Sequence, residues 1–104
     1  MTSEIIMALN RKLTPIIKGR QIASIEQTDQ LLSIHFGDGS IMKIKTSAPV
    51  VIDALKDHTV KSVRQKGAAL TIVFDDETST LVALADPGSS VMLRDAQGVL
   101  EYAD

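Results

Sequence analysis

Residues 22–46 read IASIEQTDQLLSIHFGDGSIMKIKT and residues 60–84 read VKSVRQKGAALTIVFDDETSTLVAL, and the two stretches align without a gap at a constant offset of 38. Ser24, Gln27, Leu32, Ile34, Phe36 and Asp38 recur as Ser62, Gln65, Leu70, Ile72, Phe74 and Asp76. A repeat of this length specifies one supersecondary unit used twice. It names no reaction.

Within each copy the middle segment alternates. Leu32, Ile34 and Phe36 share one face, as do Leu70, Ile72 and Phe74, which is the period of a half-buried strand. The reading predicts strands over 21–27, 30–36 and 40–46, and again over 59–65, 69–75 and 78–85. Gly37-Asp38-Gly39 supplies turn chemistry for the first hairpin, and Asp75-Asp76-Glu77 stands in its place in the second with less of it. Ser24 and Ser62 each sit between apolar residues three apart, which predicts a bulge at the same point of both copies.

Outside the repeat, Ile5, Ile6, Leu9 and Leu13 fall at helical spacing behind Thr2 or Ser3 as N-cap. Pro15 to Lys18 then reads as a second short turn ended by Gly19. The corresponding stretch before the second copy runs from Ser47 through Pro49 to Lys56. After Asp86-Pro87-Gly88 a further hairpin is expected, with strands over 91–94 and 99–102. The expected fold class is therefore α+β: two tandem α-β-β-β units, residues 1–46 and 47–85, with helices on one face of antiparallel sheet, followed by a C-terminal hairpin, residues 86–104. One six-stranded sheet and two packed sheets both satisfy this pattern.

Composition narrows the function classes. A chain of 104 residues fits a single domain with a small core. Its only aromatics are Phe36, Phe74 and Tyr102, which leaves few stacking platforms for bases or sugars. A net charge of -2 gives no general attraction to polyanions. There is no cysteine, so disulfides, thiolate nucleophiles and thiolate metal sites are excluded together. The apolar run Ile5 to Leu9 is too short for a signal peptide and no stretch reaches membrane-spanning length, so the expectation is a soluble cytoplasmic protein without membrane association.

The two copies differ mainly on their outer faces. Ser33, His35, Lys43 and Lys45 of the first become Thr71, Val73, Leu81 and Ala83 in the second. The second face reads as covered, either by the C-terminal hairpin of the same chain or by another chain. Val73, Leu81, Ala83, Val91, Leu93 and Tyr102 are accordingly the candidate interface, and a homo-oligomer, a dimer in its simplest form, is the expected partner state, with an unidentified protein partner as a further option.

His35, Lys43 and Lys45 are the candidate ligand residues, for a small anion or phosphate, against the plainer reading of a solvated strand face. With Lys61, Arg64 and Lys66 they also raise a nucleic-acid surface, which the acidic balance and scarce aromatics count against. Asp75, Asp76 and Glu77 could gather a hard cation, but their spacing fits no known loop and a polar hairpin tip explains them. No Ser/His/Asp set and no glycine-flanked nucleophile is present. The expectation is a non-enzymatic binding or assembly module with no cofactor and no metal; small-anion or nucleic-acid binding at the His35 and lysine face is the alternative.

Overall fold

The computed structural model describes residues 8–50 and 57–104. Among the described residues, nine strands and one short helix follow in chain order: β1 (Ala8–Leu9), α1 (Leu13–Ile17), β2 (Ile22–Thr28), β3 (Leu31–Phe36), β4 (Ile41–Lys45), β5 (Val60–Lys66), β6 (Ala69–Phe74), β7 (Ser79–Ala83), β8 (Val91–Arg94) and β9 (Leu100–Ala103). They form two antiparallel sheets, ordered β2-β3-β4-β8-β9 and β1-β5-β6-β7.

This overturns the α+β expectation. The fold is mostly β, and the described helix is five residues long rather than a layer on one face of a sheet. The helical spacing through Leu9 misled because Ala8 and Leu9 pair as a strand with Gln65 and Arg64, along the edge of β5; a strand edge with open backbone groups outweighs a weak local helix preference. Of the first expected helix, the part over residues 3–7 lies outside the described residues. So does most of the second, residues 51–56.

The helix that does form begins where Asn10 caps it. Its Oδ1 accepts from the Lys12 and Leu13 amides at 3.2 and 2.9 Å, and Pro15 sits in the first turn, where no amide is needed. Leu13 and Ile17, one turn apart, are fully buried. Thr14 completes the β5 edge from the helix: its hydroxyl donates to the Val63 carbonyl and accepts the Val63 amide, at 3.2 and 3.0 Å.

The two three-stranded meanders share one register at offset 38. Leu32 faces Gln27 and Ile44 where Leu70 faces Gln65 and Val82, and both first strands carry the expected irregularity, between Ile22 and Ser24 and between Val60 and Ser62. Their inner faces meet in a single aliphatic core of Ile22, Leu32, Ile34, Phe36, Met42 and Ile44 against Val60, Val63, Leu70, Ile72, Phe74, Val82 and Leu84.

Two corners join the sheets, each by a reciprocal exchange. At one, Ile22 donates to the His58 carbonyl at 2.9 Å and Val60 donates to the Arg20 carbonyl at 3.0 Å, around the Gln21–Thr59 bridge. At the other, Ser47 donates to Ala83 and Ala85 donates to Lys45, both at 2.9 Å, around the Thr46–Leu84 bridge. Each pair is related by the offset of 38, so the core has a local two-fold.

The C-terminal hairpin breaks that symmetry. It adds β8 to the free edge of β4, with Met42 opposite Leu93 and Ile44 opposite Val91. Val91, Leu93 and Tyr102 are 5%, 0% and 8% exposed and belong to the core.

Candidate interaction surfaces

Strand pairing decides which backbone groups reach the surface. In an antiparallel ladder alternate residues turn both backbone groups toward one neighbour. The bonds from Phe74 to Thr78 and from Leu84 to Ala68 fix the phase on β7: Thr78, Thr80, Val82 and Leu84 turn to β6, and Ser79, Leu81 and Ala83 turn away. The matching residues of β4 are Ile41, Lys43 and Lys45. Those are satisfied by the hairpin, with Ile41 against Arg94, Lys43 against Met92 and Lys45 donating to the Ser90 carbonyl at 2.8 Å.

No described strand does the same for β7. At its C-terminal end Ser47 takes the Ala83 carbonyl. Ser79 and Leu81 keep both their amides and carbonyls without a strand neighbour among the described residues. Leu81 is 61% exposed, the most exposed large apolar side chain of the described chain, and no residue from Ser79 to Ala83 carries a charge. Val73 lies half-buried directly across from Ser79 on the outer face, and Ala83 is half-buried opposite Ala69.

The candidate interface residues thus separate. Val73, Leu81 and Ala83 lie together on the outer face and edge of the four-stranded sheet, whereas Val91, Leu93 and Tyr102 lie in the core of the other sheet. The hairpin is a neighbour of β4 and no lid over Val73 and Leu81.

His35, Lys43 and Lys45 are all on the outer face of the five-stranded sheet, but they do not converge. His35 Nε2 lies 3.1 Å from Glu26 Oε1 across the β2–β3 pair. Lys43 and Lys45 line an open groove of about 550 Å³ with Leu31, Met92, Ala103 and Asp104, and have no ion-pair partner among the described residues. His35 does not line it. Lys61, Arg64 and Lys66 are on β5 in the other sheet, with Lys61 Nζ 2.6 Å from Glu77, so the cations do not form one face. Asp75, Asp76 and Glu77 gather no group of three metal-binding side chains, and none exists among the described residues. Asp76 instead accepts the Thr78 amide and hydroxyl, which holds its carboxyl below the ordinary range.

The most connected polar cluster escaped the sequence reading. Arg20, just before β2, donates to both carboxylate oxygens of Glu101 on β9 at 3.0 and 2.8 Å, to Ser40 Oγ at 2.9 Å, and stands 3.3 Å from Asp38. Hydrogen bonding to Glu101 raises its already high pKa, and hydrogen bonding from Ser40 lowers that of Asp38. Each polar atom has its partner, so the cluster clamps the hairpin and offers no free acid, base or nucleophile. Its Arg20–Asp38 part recurs at offset 38, where His58 stands 3.4 Å from Asp76. Glu101 has no counterpart in either copy.

No family model, no curated protein and no solved structure matches the chain.

Proposed function

We propose that this chain is a non-enzymatic binding module that takes up an extended protein segment by strand addition at the open edge of β7. One observation carries the reading. The same edge in the other meander is filled by a strand, β8, while β7 presents Ser79 and Leu81 with no strand neighbour among the described residues and no charge. Natural sheets usually blunt a free edge with lysine, proline or a bulge. Here the lysines, Lys43 and Lys45, flank the covered edge and the apolar residue flanks the open one. Strand addition draws affinity from main-chain bonds and selects side chains through alternate pockets.

The test uses a peptide reproducing residues 89–95, the segment that occupies the equivalent edge, added to the intact chain. Slowed amide exchange at Ser79 and Leu81 supports the reading. Exchange at both amides that stays at the rate of unpaired backbone, with and without peptide and at every protein concentration, removes it.

A second reading rests on the groove lined by Lys43 and Lys45, which have no ion-pair partner among the described residues and share it with Leu31 and Met92, a lining that suits a small anion with an apolar part. It predicts that Lys43→Ala weakens binding of such a ligand while leaving β7 unaffected.

A further inference from the structure

We infer that the segment taken up by β7 is β7 of a second copy, paired antiparallel across a two-fold axis through Thr80. The inference rests on the strand-addition reading above and names its partner.

The open groups themselves set the register. Ser47 occupies the edge at Ala83, so a partner strand cannot run past Leu81 at that end. At the other end the strand begins at Ser79, after the turn at Asp75 to Glu77. With the Ala83 carbonyl taken, the residues that keep both backbone groups open among the described residues are Ser79 and Leu81, and their amides and carbonyls are the groups a partner strand would pair. A two-fold that sets Ser79 of one copy against Leu81 of the other satisfies all of them with four hydrogen bonds, since such partners exchange both bonds and the residue between them falls in a non-bonded pair. Thr80 is that residue, and a cross-strand threonine pair is a favourable one.

The side chains agree with this register. On the outer face, Leu81 of each copy would lie over Ser79 of the other, beside Val73, which is the cross-strand neighbour of Ser79 on β6. The small serine leaves the slot and Leu81 and Val73 line it. The positions equivalent to Leu81 and Val73 in the other meander are Lys43 and His35, which could not close such a contact. An edge with no charge also meets its own copy without repulsion. The same surface used by both copies closes the assembly at two, and the four-stranded sheet becomes one continuous sheet of eight.

The experiment combines solution mass with a positional cross-link. The chain has no cysteine, so Thr80→Cys carries a single thiol, and two such residues in a non-bonded antiparallel pair come within disulfide reach. Mild oxidation of folded Thr80→Cys is expected to give a covalent dimer, whereas Lys43→Cys treated alike forms no cross-link. Light scattering behind a sizing column is expected to show a dimer for the unmodified chain, and Leu81→Lys is expected to weaken it at least about tenfold with an unchanged circular dichroism spectrum. A monomer at every concentration, a dimer untouched by Leu81→Lys, or equal cross-linking at both cysteine positions overturns the inference. If the chain is monomeric but the 89–95 peptide still protects Ser79 and Leu81, the dimer falls while the strand-addition reading stands.

Discussion

Gly39 and Glu77 hold the same step of the two hairpin turns, both in left-handed backbone, with φ of 91° and 71°. Two further pairs repeat this at offset 38: Gly19 with Asp57, at 88° and 69°, and Asp29 with Gly67, at 51° and 56°. Each pair contains one glycine and one residue that tolerates the conformation less well. The backbone path is therefore shared by both copies even where the residue best suited to it is not.

Exchanging these residues should move stability in opposite directions. Glu77→Gly is expected to stabilise by about 0.5–1 kcal/mol, as relief of left-handed strain exceeds the entropy cost of glycine and the loss of an exposed contact to Lys61. Gly39→Ala is expected to destabilise by at least about 1 kcal/mol, because its Cβ would also stand 2.9 Å from Ala96 Cβ. Adding Ala96→Gly should recover part of that loss. Urea unfolding of the four chains checks all of it.

The Arg20–Glu101 pair is bidentate and mostly shielded, with side-chain exposures of 18% and 24%. Arg20→Ala leaves Glu101 and Asp38 without their shared cation and should cost about 2 kcal/mol, whereas Glu101→Ala leaves Arg20 beside Asp38 and Ser40 and should cost less, about 1 kcal/mol. Because the two bonds between Arg20 and Glu101 are lost in either change, the double variant should cost clearly less than the sum of the two. Additive losses would mean that the pair is no clamp.

Tyr102 responds to alkali. Burial raises the pKa of its phenol above the usual 10, against the Asn10 hydrogen bond, which lowers it. The neutral phenol is the form favoured by folding, so its contribution is complete below the unfolded pKa and disappears as pH rises through the folded one. Stability should fall above about pH 10. Thermal melts from pH 8 to 11 should show a shallower alkaline decline in Tyr102→Phe than in the unmodified chain.

The hairpin is structural as well as peripheral. Leu93 is fully buried opposite Met42, and Leu93→Ala should cost about 2–5 kcal/mol. A chain ending at Asp86 would uncover Met42, Ile44 and the open edge of β4 together, and is expected to unfold or aggregate. Loss of an oligomer on that truncation would therefore report on folding, which is why Leu81→Lys and Thr80→Cys are the more direct probes of β7.

Much of the β structure could be read from the chain because it depends on local period. Leu32-Ile34-Phe36 and its copy placed their strands and inner faces correctly, and Val91 and Leu93 alternate as a buried-face strand must. The destination of that hairpin was not legible, since alternation gives a face and no neighbour. One clue was present: Met42 is apolar on β4 where Thr80 stands on β7, and the extra apolar residue requires the extra neighbour, Leu93. The helix was misplaced because Ile5, Ile6, Leu9 and Leu13 satisfy a helical period while the open edge of β5, a long-range feature, recruits Ala8 and Leu9. Arg20 and Glu101 are 81 positions apart, and no spacing rule links them.

The corner exchanges also govern how the chain reaches its fold. Gln21 and Thr59 are 38 positions apart, as are Thr46 and Leu84, so neither corner forms until a long segment has been brought back on itself. Each meander can zip up locally within microseconds, yet its core face stays wet until the other half arrives. Closing the two corners is then expected to set the folding rate, in the millisecond-to-second range of chains ruled by distant contacts, and a change at Ile22 or Val60 should be felt in that rate first.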